Sequence, residues 1–195
     1  MQQFTVHTGT ATPLRRSNVD TDQIIPVRFL NRSQRTGHAD SLFADWREDP
    51  AFVLNRPEHR GSTVLVAGTD FGTGSSREYA VWALLDYGFR AVIAPRYGDI
   101  FRENALYNGL LPVELPTGAV ERLWQFIDAD PSVRVTVDLR NGQVRCADLR
   151  HPFQVEENAR QRLLAGEDSI TATLRHAGEI DAYERTRRPA LPVTR

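Results

Sequence analysis

Glycine, serine and arginine are concentrated in one short stretch, "GTGSSR", preceded by "DF" and followed by "EY". Gly72 and Gly74 let a backbone approach other groups closely. Ser75 and Ser76 add hydroxyls, and the guanidinium of Arg77 can bind a carboxylate or phosphate through two donors. The pattern predicts a loop that binds a small anion. Because neither G-x-x-x-x-G-K-[ST] nor G-x-G-x-x-G is present, the spacing leaves the identity of the anion open.

The flanking residues predict that this loop joins a strand to a helix. The preceding segment "STVLVAG" is short, β-branched and apolar, which is typical of a buried strand. After the loop, Tyr79, Trp82 and Leu85 recur at helical spacing, and Gly88 is a typical helix terminator. A helix that begins near Ser76 directs unpaired backbone N–H groups into the loop. The alternative is a glycine–serine helix cap with a purely structural role.

The remaining elements predict a mixed α/β fold. Two more buried strands, "RAVIAP" and "LLPVEL", are separated by the helical "GDIFRENALYNG", which predicts a parallel βαβαβ unit. An amphipathic helix and two strands around an Asn141-Gly142 turn follow. We interpret residues 1–195 as a single domain, with about 157–195 as a helical C-terminal extension.

Composition limits the possible functions. Lys+Arg 24 nearly balances Asp+Glu 25 for a net charge of -1, which gives no general attraction to nucleic acid or to a membrane surface. No apolar run approaches a membrane span and the first residues lack a signal-peptide pattern, so we expect a cytoplasmic protein. The single cysteine, Cys146, cannot by itself form a disulfide or a thiolate metal site, and we expect no metal or cofactor in this chain.

The front third of the chain has little hydrophobic periodicity. Within it "NVDTDQIIP" predicts an ordered anchor. Residues 28–37 predict a mobile substrate loop, because this polar stretch around Phe29 and Leu30 has neither helix caps nor a regular period. A lid of this kind would admit substrate when open and exclude water when closed.

Two acidic residues in the anchor suggest a second candidate site. Asp20 and Asp22 would face the same side of an extended segment and could form a pair of carboxylates. The alternative is structural, since Asp20, Thr21 and Asp22 are all turn and cap formers that brace backbone N–H groups.

Three motifs occur in order, "NVDTDQIIP", "GTGSSRE" and "GDIFRENALYNGLLP". With them the sequence resembles the small subunits of 3-isopropylmalate dehydratase, the isopropylmalate isomerase of leucine biosynthesis, over most of its length. The resemblance implies a compact β/β/α swivelling domain of the aconitase type, with a mixed or parallel central sheet. It implies a heterodimer or higher assembly with a large subunit that carries a [4Fe-4S] cluster. One departure is Tyr79, where family members usually have histidine.

The resemblance also implies roles for individual residues. Ser75 becomes the catalytic base, acting as an alkoxide that N–H groups and an arginine stabilise. Arg77 clamps a carboxylate of a small dicarboxylate substrate, and Ser76 adds a hydrogen bond. The other implied site residues are Gly74, Phe29 and Leu30 for substrate binding, and Gly72, Asp20, Thr21 and Asp22 for support of the site.

The third substituent of the substrate would set specificity, because malate-like substrates share their two carboxylates. Apolar contacts from Phe29 and Leu30 suit an isopropyl group. Two alternatives remain open at this point. One is the small subunit of a related dehydratase acting on citraconate, homoaconitate or a methylmalate, and the other is a non-catalytic module that binds a dicarboxylate or phosphate.

Overall fold

A computed structural model describes residues 1–32, 34–75 and 77–187 of the chain. The strands in this part are β1 Val6–Gly9, β2 Ala11–Leu14, β3 Val19–Asp20, β4 Val64–Ala67, β5 Phe71–Thr73, β6 Ala91–Ala94, β7 Leu111–Glu114, β8 Val135–Asp138, β9 Gln143–Cys146 and β10 Leu149–Pro152. The α-helices are α1 Thr21–Ile24, α2 Glu78–Tyr87, α3 Asp99–Asn108, α4 Thr117–Ala129, α5 Glu157–Ala165, α6 Ser169–Leu174 and α7 Ala177–Thr186.

A parallel sheet with the strand order β2-β4-β6-β7 forms the centre of the molecule. Its last three strands alternate with α2 and α3, so the predicted βαβαβ unit is confirmed. The sequence did not predict β2, "ATPL", which contains Pro13 and has no clear alternation. As the first strand of the sheet, β2 tolerates a proline that a central strand would exclude.

Each face of this sheet is covered by a separate apolar cluster. Along β4, Val64 and Val66 pack into one cluster, while Leu65 and Ala67 pack into the other. This alternation follows from the strand period of two residues. The first cluster includes α4, α5 and the second sheet, and the second includes α2, most of the buried side of α3 and the irregular front of the chain.

The second sheet is antiparallel, with the strand order β1-β8-β9-β10. The predicted turn between β8 and β9 is present, and its Asn141 donates backbone and side-chain hydrogen bonds to Asp138 at 3.0 and 2.8 Å. Cys146 on β9 is buried, and desolvation raises the pKa of its thiol to about 11. The thiol is therefore a packed apolar group rather than a reactive one.

Between α1 and β4 the chain forms short turns rather than long elements. We call residues 21–61 the front segment; four of its turns are 3₁₀ helices, at Val27–Phe29, Trp46–Glu48, Val53–Asn55 and Pro57–His59. It is anchored by apolar side chains that enter the second cluster, among them Leu42, Phe43, Phe52 and Leu54.

The helices at the end of the described chain differ in how they pack. Ala159 and Leu163 of α5 are buried in the first cluster, whereas α6 and α7 are exposed along most of their described side chains. Within residues 1–32, 34–75 and 77–187, no helix combines the length and the apolar character that crossing a membrane requires.

Candidate active site

A short pair of strands holds the loop that carries the glycine and serine residues. Its strand β5 pairs in parallel with β3. The backbone N–H of Phe71 donates to the carbonyl of Arg96 at 3.0 Å, and the N–H of Gly98 donates to the carbonyl of Phe71 at 2.9 Å. The buried ring of Phe71 meets that of Phe101 edge-on, with 5.3 Å between centroids. We call residues 70–77 the signature loop, which begins on a backbone that is fixed on both sides.

Two glycines of the signature loop are required by packing within the chain. Gly72 has a φ of +76°, and a Cβ there would lie 2.2 Å from Cγ of Phe101. Gly74 has a φ of +82°, and a Cβ there would lie 2.8 Å from Oδ2 of Asp20. Both positions therefore need glycine for conformation and for space. The roles in substrate binding for Gly74 and in site support for Gly72 stay predictions.

The serine and arginine of the loop stand just before α2. Ser75 is exposed in a turn, whereas Ser76 lies outside the described residues. The helix begins at Glu78 rather than near Ser76, because Arg77 is still extended with φ -74° and ψ 133°. No side chain of the described residues caps this end of α2. The exposed hydroxyl of Ser75 is thus close in sequence to the N-terminus of α2, and a helix N-terminus favours negative charge.

The acidic residues of the anchor do not form the paired-carboxylate site. Asp20 is the N-cap of α1: its Oδ1 accepts a hydrogen bond from the N–H of Asp22 at 2.6 Å. Gln23 completes a capping box by accepting from the N–H of Asp20 at 2.9 Å. The premise of an extended segment was wrong, because these local hydrogen bonds turn the chain into a helix directly after Asp20. Thr21 begins that helix and is fully buried.

Asp22 instead forms an ion pair with Arg77, which links the front segment to the signature loop. The side chain of Arg77 is 28% exposed and that of Asp22 is 44% exposed, so the pair remains in reach of solvent and of a ligand. An arginine has several N–H donors in a planar fork, and a single pair with one carboxylate leaves others for a second anion.

Phe29 and Leu30 lie in what we call the recognition loop, residues 28–37, of which Ser33 is outside the described residues. Both side chains are half-buried and pack against the second apolar cluster. The ring of Phe29 has guanidinium groups over it, with 4.8 Å from its centroid to Arg28 and 5.1 Å to Arg32. Cation–π contacts of this kind hold the ring in place at the surface.

Side-chain hydrogen bonds also connect described residues of the recognition loop, although its sequence has no caps or regular period. Arg32 binds the carboxylate of Asp40 through two N–H groups, at 2.6 and 2.7 Å, and the carbonyl of Gly37 at 2.7 Å. The hydrogen bond from Arg32 lowers the pKa of Asp40. The ring nitrogen Nε2 of His38 lies 2.8 Å from the carbonyl oxygen of Gln34. The mobility of this loop stays a prediction.

Tyr79 makes contacts that the sequence did not predict. Its hydroxyl donates to the carbonyl of Arg32 at 3.0 Å. Its ring lies 4.6 Å from that of Trp82 and meets the buried ring of His38 edge-on at 5.4 Å. The sequence placed Tyr79 on a helix and marked it as a departure from the related family, but it predicted no partner for Tyr79 and no role for His38. No local signal was available, because the bonded residues are 47 positions apart.

The described residues offer no place for a metal cluster. No group of three or more His, Cys, Asp or Glu side chains in this part of the chain could hold a metal ion. Two grooves of about 460 and 590 Å³ border Arg102, and none of the described residues of the signature or recognition loop lines either of them. The side chains present therefore do not fit an iron–sulfur cluster, and the candidate site is an open surface around Ser75 and Arg77.

Sequence comparison agrees with the class of protein that this fold indicates. The aconitase C-terminal domain family matches residues 1–118. A second family, the C-terminal domain of 3-isopropylmalate dehydratase small subunits, matches residues 169–192. The fold is thus the mixed α/β domain of the aconitase type.

Similar proteins of known name cover the whole chain. The 3-isopropylmalate dehydratase small subunit of Acidothermus cellulolyticus is 62% identical over 196 residues, covering 100% of this chain and 99% of that protein. The protein of the same name from Thermobifida fusca is 57% identical over 194 residues and covers 100% of both chains. The crystal structure of 3-isopropylmalate dehydratase from Methanocaldococcus jannaschii has a TM-score of 0.67 at 27% identity, covering 92% of this chain and 99% of that one. The chain belongs to the family of 3-isopropylmalate dehydratase small subunits.

Proposed function

We propose that this chain is the small subunit of a 3-isopropylmalate dehydratase, a hydro-lyase that interconverts 2-isopropylmalate and 3-isopropylmalate in leucine biosynthesis. The observation that carries the proposal is the similarity of 62% identity across the full chain to a relative of that name. The candidate site supports it, because the signature loop carries an exposed serine, Ser75, and an arginine suited to carboxylates, Arg77. A cytoplasmic location belongs to the same proposal.

The reaction removes water from one isomer and restores it in the opposite sense. A proton leaves the carbon next to one carboxylate, hydroxide leaves the neighbouring carbon, and water then adds to the resulting double bond with the two positions exchanged. The carbon-bound proton is a weak acid, so removing it requires a strong, well-placed base. The proposal assigns that base to Ser75, whose hydroxyl is exposed in the signature loop.

A serine hydroxyl becomes basic enough only where its ionised form is stabilised. The hydroxyl of Ser75 is close in sequence to the N-terminus of α2, where the helix dipole favours negative charge. The guanidinium of Arg77, held by Asp22, adds positive charge and has donors left for a substrate carboxylate. In the proposal Asp20 and Thr21 act through structure, since they set the turn that places Asp22.

The proposal includes a large subunit that carries a [4Fe-4S] cluster, which supplies Lewis-acid chemistry for the departing hydroxyl when bound. Two observations support this part of the proposal. The family name designates a small subunit, and the described residues are unsuitable as cluster ligands. This chain would then contribute the base, the carboxylate clamp and the recognition of the alkyl group.

The test is reconstitution of the full chain with a large subunit expressed from the same genome, followed by an isopropylmalate assay. We expect turnover from the complex and none from the isolated chain. Ser75→Ala should lower kcat by about 10²- to 10⁴-fold, the range for loss of a positioned base. Ser132→Ala, another exposed serine in a turn, is the matched control and should be silent.

Two outcomes would contradict the proposal. Activity of the isolated chain would show that no partner is needed. Full turnover by the Ser75→Ala complex would favour a binding module over a catalytic subunit. A panel that includes citraconate, homoaconitate and methylmalate would identify a related dehydratase if one of them is turned over faster than isopropylmalate.

A further inference from the structure

Tyr79 connects the first turn of α2 to the backbone of the recognition loop. Its ring is held on one side by Trp82, at 4.6 Å, and meets His38 edge-on at 5.4 Å. His38 is itself fully buried, and its backbone N–H donates to Asp86 at 2.9 Å. The ring of Tyr79 is therefore fixed, and its hydroxyl reaches across to the carbonyl of Arg32.

Arg32 is the residue through which the recognition loop is organised. Its guanidinium binds Asp40 and the carbonyl of Gly37, and it also lies over the ring of Phe29 at 5.1 Å. These contacts tie Arg32 to Phe29 and to the end of the loop. The hydroxyl of Tyr79 donates a hydrogen bond to the backbone carbonyl oxygen of Arg32, which points towards α2.

The helix that carries Tyr79 also begins beside the site. Arg77 is two residues before Tyr79 and is held by Asp22. One short turn of chain thus contacts both parts of the candidate site, the carboxylate clamp through Arg77 and the recognition loop through Tyr79. The separation between the two parts depends on both links.

We propose that Tyr79 is a positioning residue that raises substrate affinity by fastening the recognition loop to α2. The inference rests on the proposed function for the identity of the substrate, whose alkyl group Phe29 and Leu30 would contact. Without the hydroxyl, the loop spends less time in the arrangement that binds substrate. Apparent affinity falls in proportion to that population, while the saturated complex reacts at the same rate. Loss of the hydroxyl should therefore raise KM and leave kcat unchanged.

Tyr79→Phe removes the hydroxyl and keeps the ring, so its packing on Trp82 and His38 is retained. The matched control is Tyr87→Phe, on the same helix, whose hydroxyl lies 3.5 Å from the carbonyl of Leu54 in the front segment, outside the recognition loop. Both variants are compared with the wild type as free full-length chains and as complexes with the large subunit.

In the free chain, trypsin cleavage after Arg32 and Arg35 measures opening of the loop directly. We expect Tyr79→Phe to be cleaved about fivefold faster, the equivalent of one ordinary hydrogen bond, and Tyr87→Phe at the wild-type rate. In the complex, Tyr79→Phe should raise the KM for isopropylmalate about fivefold with kcat unchanged. Asp40→Asn, which weakens the other anchor of Arg32, should change cleavage and KM in the same direction.

The proposal is overturned if Tyr79→Phe matches the wild type in cleavage, if Tyr87→Phe has the same effect, or if cleavage accelerates while KM stays constant. The cleavage comparison uses neither substrate nor partner. A wild-type complex that does not turn over isopropylmalate would therefore count against the proposed function, while the cleavage ratio would still decide whether Tyr79 fastens the loop.

Discussion

The signature loop and the recognition loop are held in place by different forces. In the signature loop, glycines at positive φ allow the backbone to pack directly on Phe101 and Asp20, beside a buried strand pair. In the recognition loop, side chains such as Arg32 and Asp40 make the contacts, and the side chain of Asp40 is 62% exposed. Exposed ion pairs contribute little to stability, whereas a packed backbone resists any displacement.

This difference indicates how the two loops divide the work of the proposed reaction. The base and the carboxylate clamp need fixed geometry, because small displacements of reacting groups are costly. Recognition of an alkyl group tolerates a loop that opens and closes, because apolar contacts are not directional. In a loop held by its side chains, such as the recognition loop, substitutions can change specificity without disturbing the core.

Of the three tests of this comparison, the largest effect is expected from Gly72→Ala in the signature loop. A Cβ at this position would lie 2.2 Å from Cγ of the fully buried Phe101, and the φ of +76° is unfavourable for alanine. Overpacking and backbone strain together should lower the free energy of unfolding by about 3 kcal/mol. Chemical denaturation of the free chain, followed by circular dichroism, measures this loss.

Gly118→Ala in α4 is the control for that experiment, because an added Cβ there meets no atom within 4 Å. Alanine should be neutral or stabilising by up to about 1 kcal/mol in this helix. Equal stability of the Gly72 and Gly118 variants would show that the signature loop is as adaptable as the recognition loop, and the contrast between them would be lost.

Arg77→Lys should have the next largest effect, on activity rather than on stability. A lysine cannot reproduce the planar fork that pairs with Asp22 and leaves donors for a substrate carboxylate. We expect kcat/KM to fall by the equivalent of about 2 kcal/mol. Arg122→Lys is the control, because Arg122 on α4 also pairs with an aspartate, Asp148, and belongs to neither loop. Unchanged kinetics in Arg77→Lys would reduce Arg77 to a structural partner of Asp22.

Leu30→Glu should have the smallest of the three effects and tests the recognition loop. A charge among the predicted alkyl contacts should lower kcat/KM for isopropylmalate about tenfold, while unfolding and large-subunit binding stay close to wild type. Leu174→Glu, at an exposed position of α6, is the control for the same substitution. The loop should also resist trypsin better in the substrate-bound complex. Normal activity of Leu30→Glu, with equal resistance in both states, would rule out a substrate lid.

The strands and helices of the parallel sheet were largely predictable, because each of them has its own local sequence pattern. The strands β4 and β6 are continuous apolar runs, and β7 is apolar up to its last residue, Glu114. Gly88 and Gly109 end α2 and α3 in left-handed conformations with φ of +116° and +87°. Side-chain volume, helical period and the conformational freedom of glycine act within a few residues. The family resemblance also followed from the sequence, since "NVDTDQIIP" and "GTGSSRE" are contiguous motifs.

Contacts between distant residues were decided by the tertiary structure alone. The edge strand β1 pairs with β8, where Val6 lies opposite Asp138, although neither sequence specifies the other as partner. The anchor also differs from the predicted extended segment, because Asp20 caps α1 and Asp22 pairs with Arg77.

The sequence by itself thus determined the strands and helices of the parallel sheet, the family, and the residue types of the site. Only the tertiary structure decided which front-segment residues meet the signature loop, through Asp22 with Arg77 and Arg32 with Tyr79. The physical reason is that the free energy of these contacts depends on partners about 50 positions away, which the whole fold brings together and no local pattern encodes.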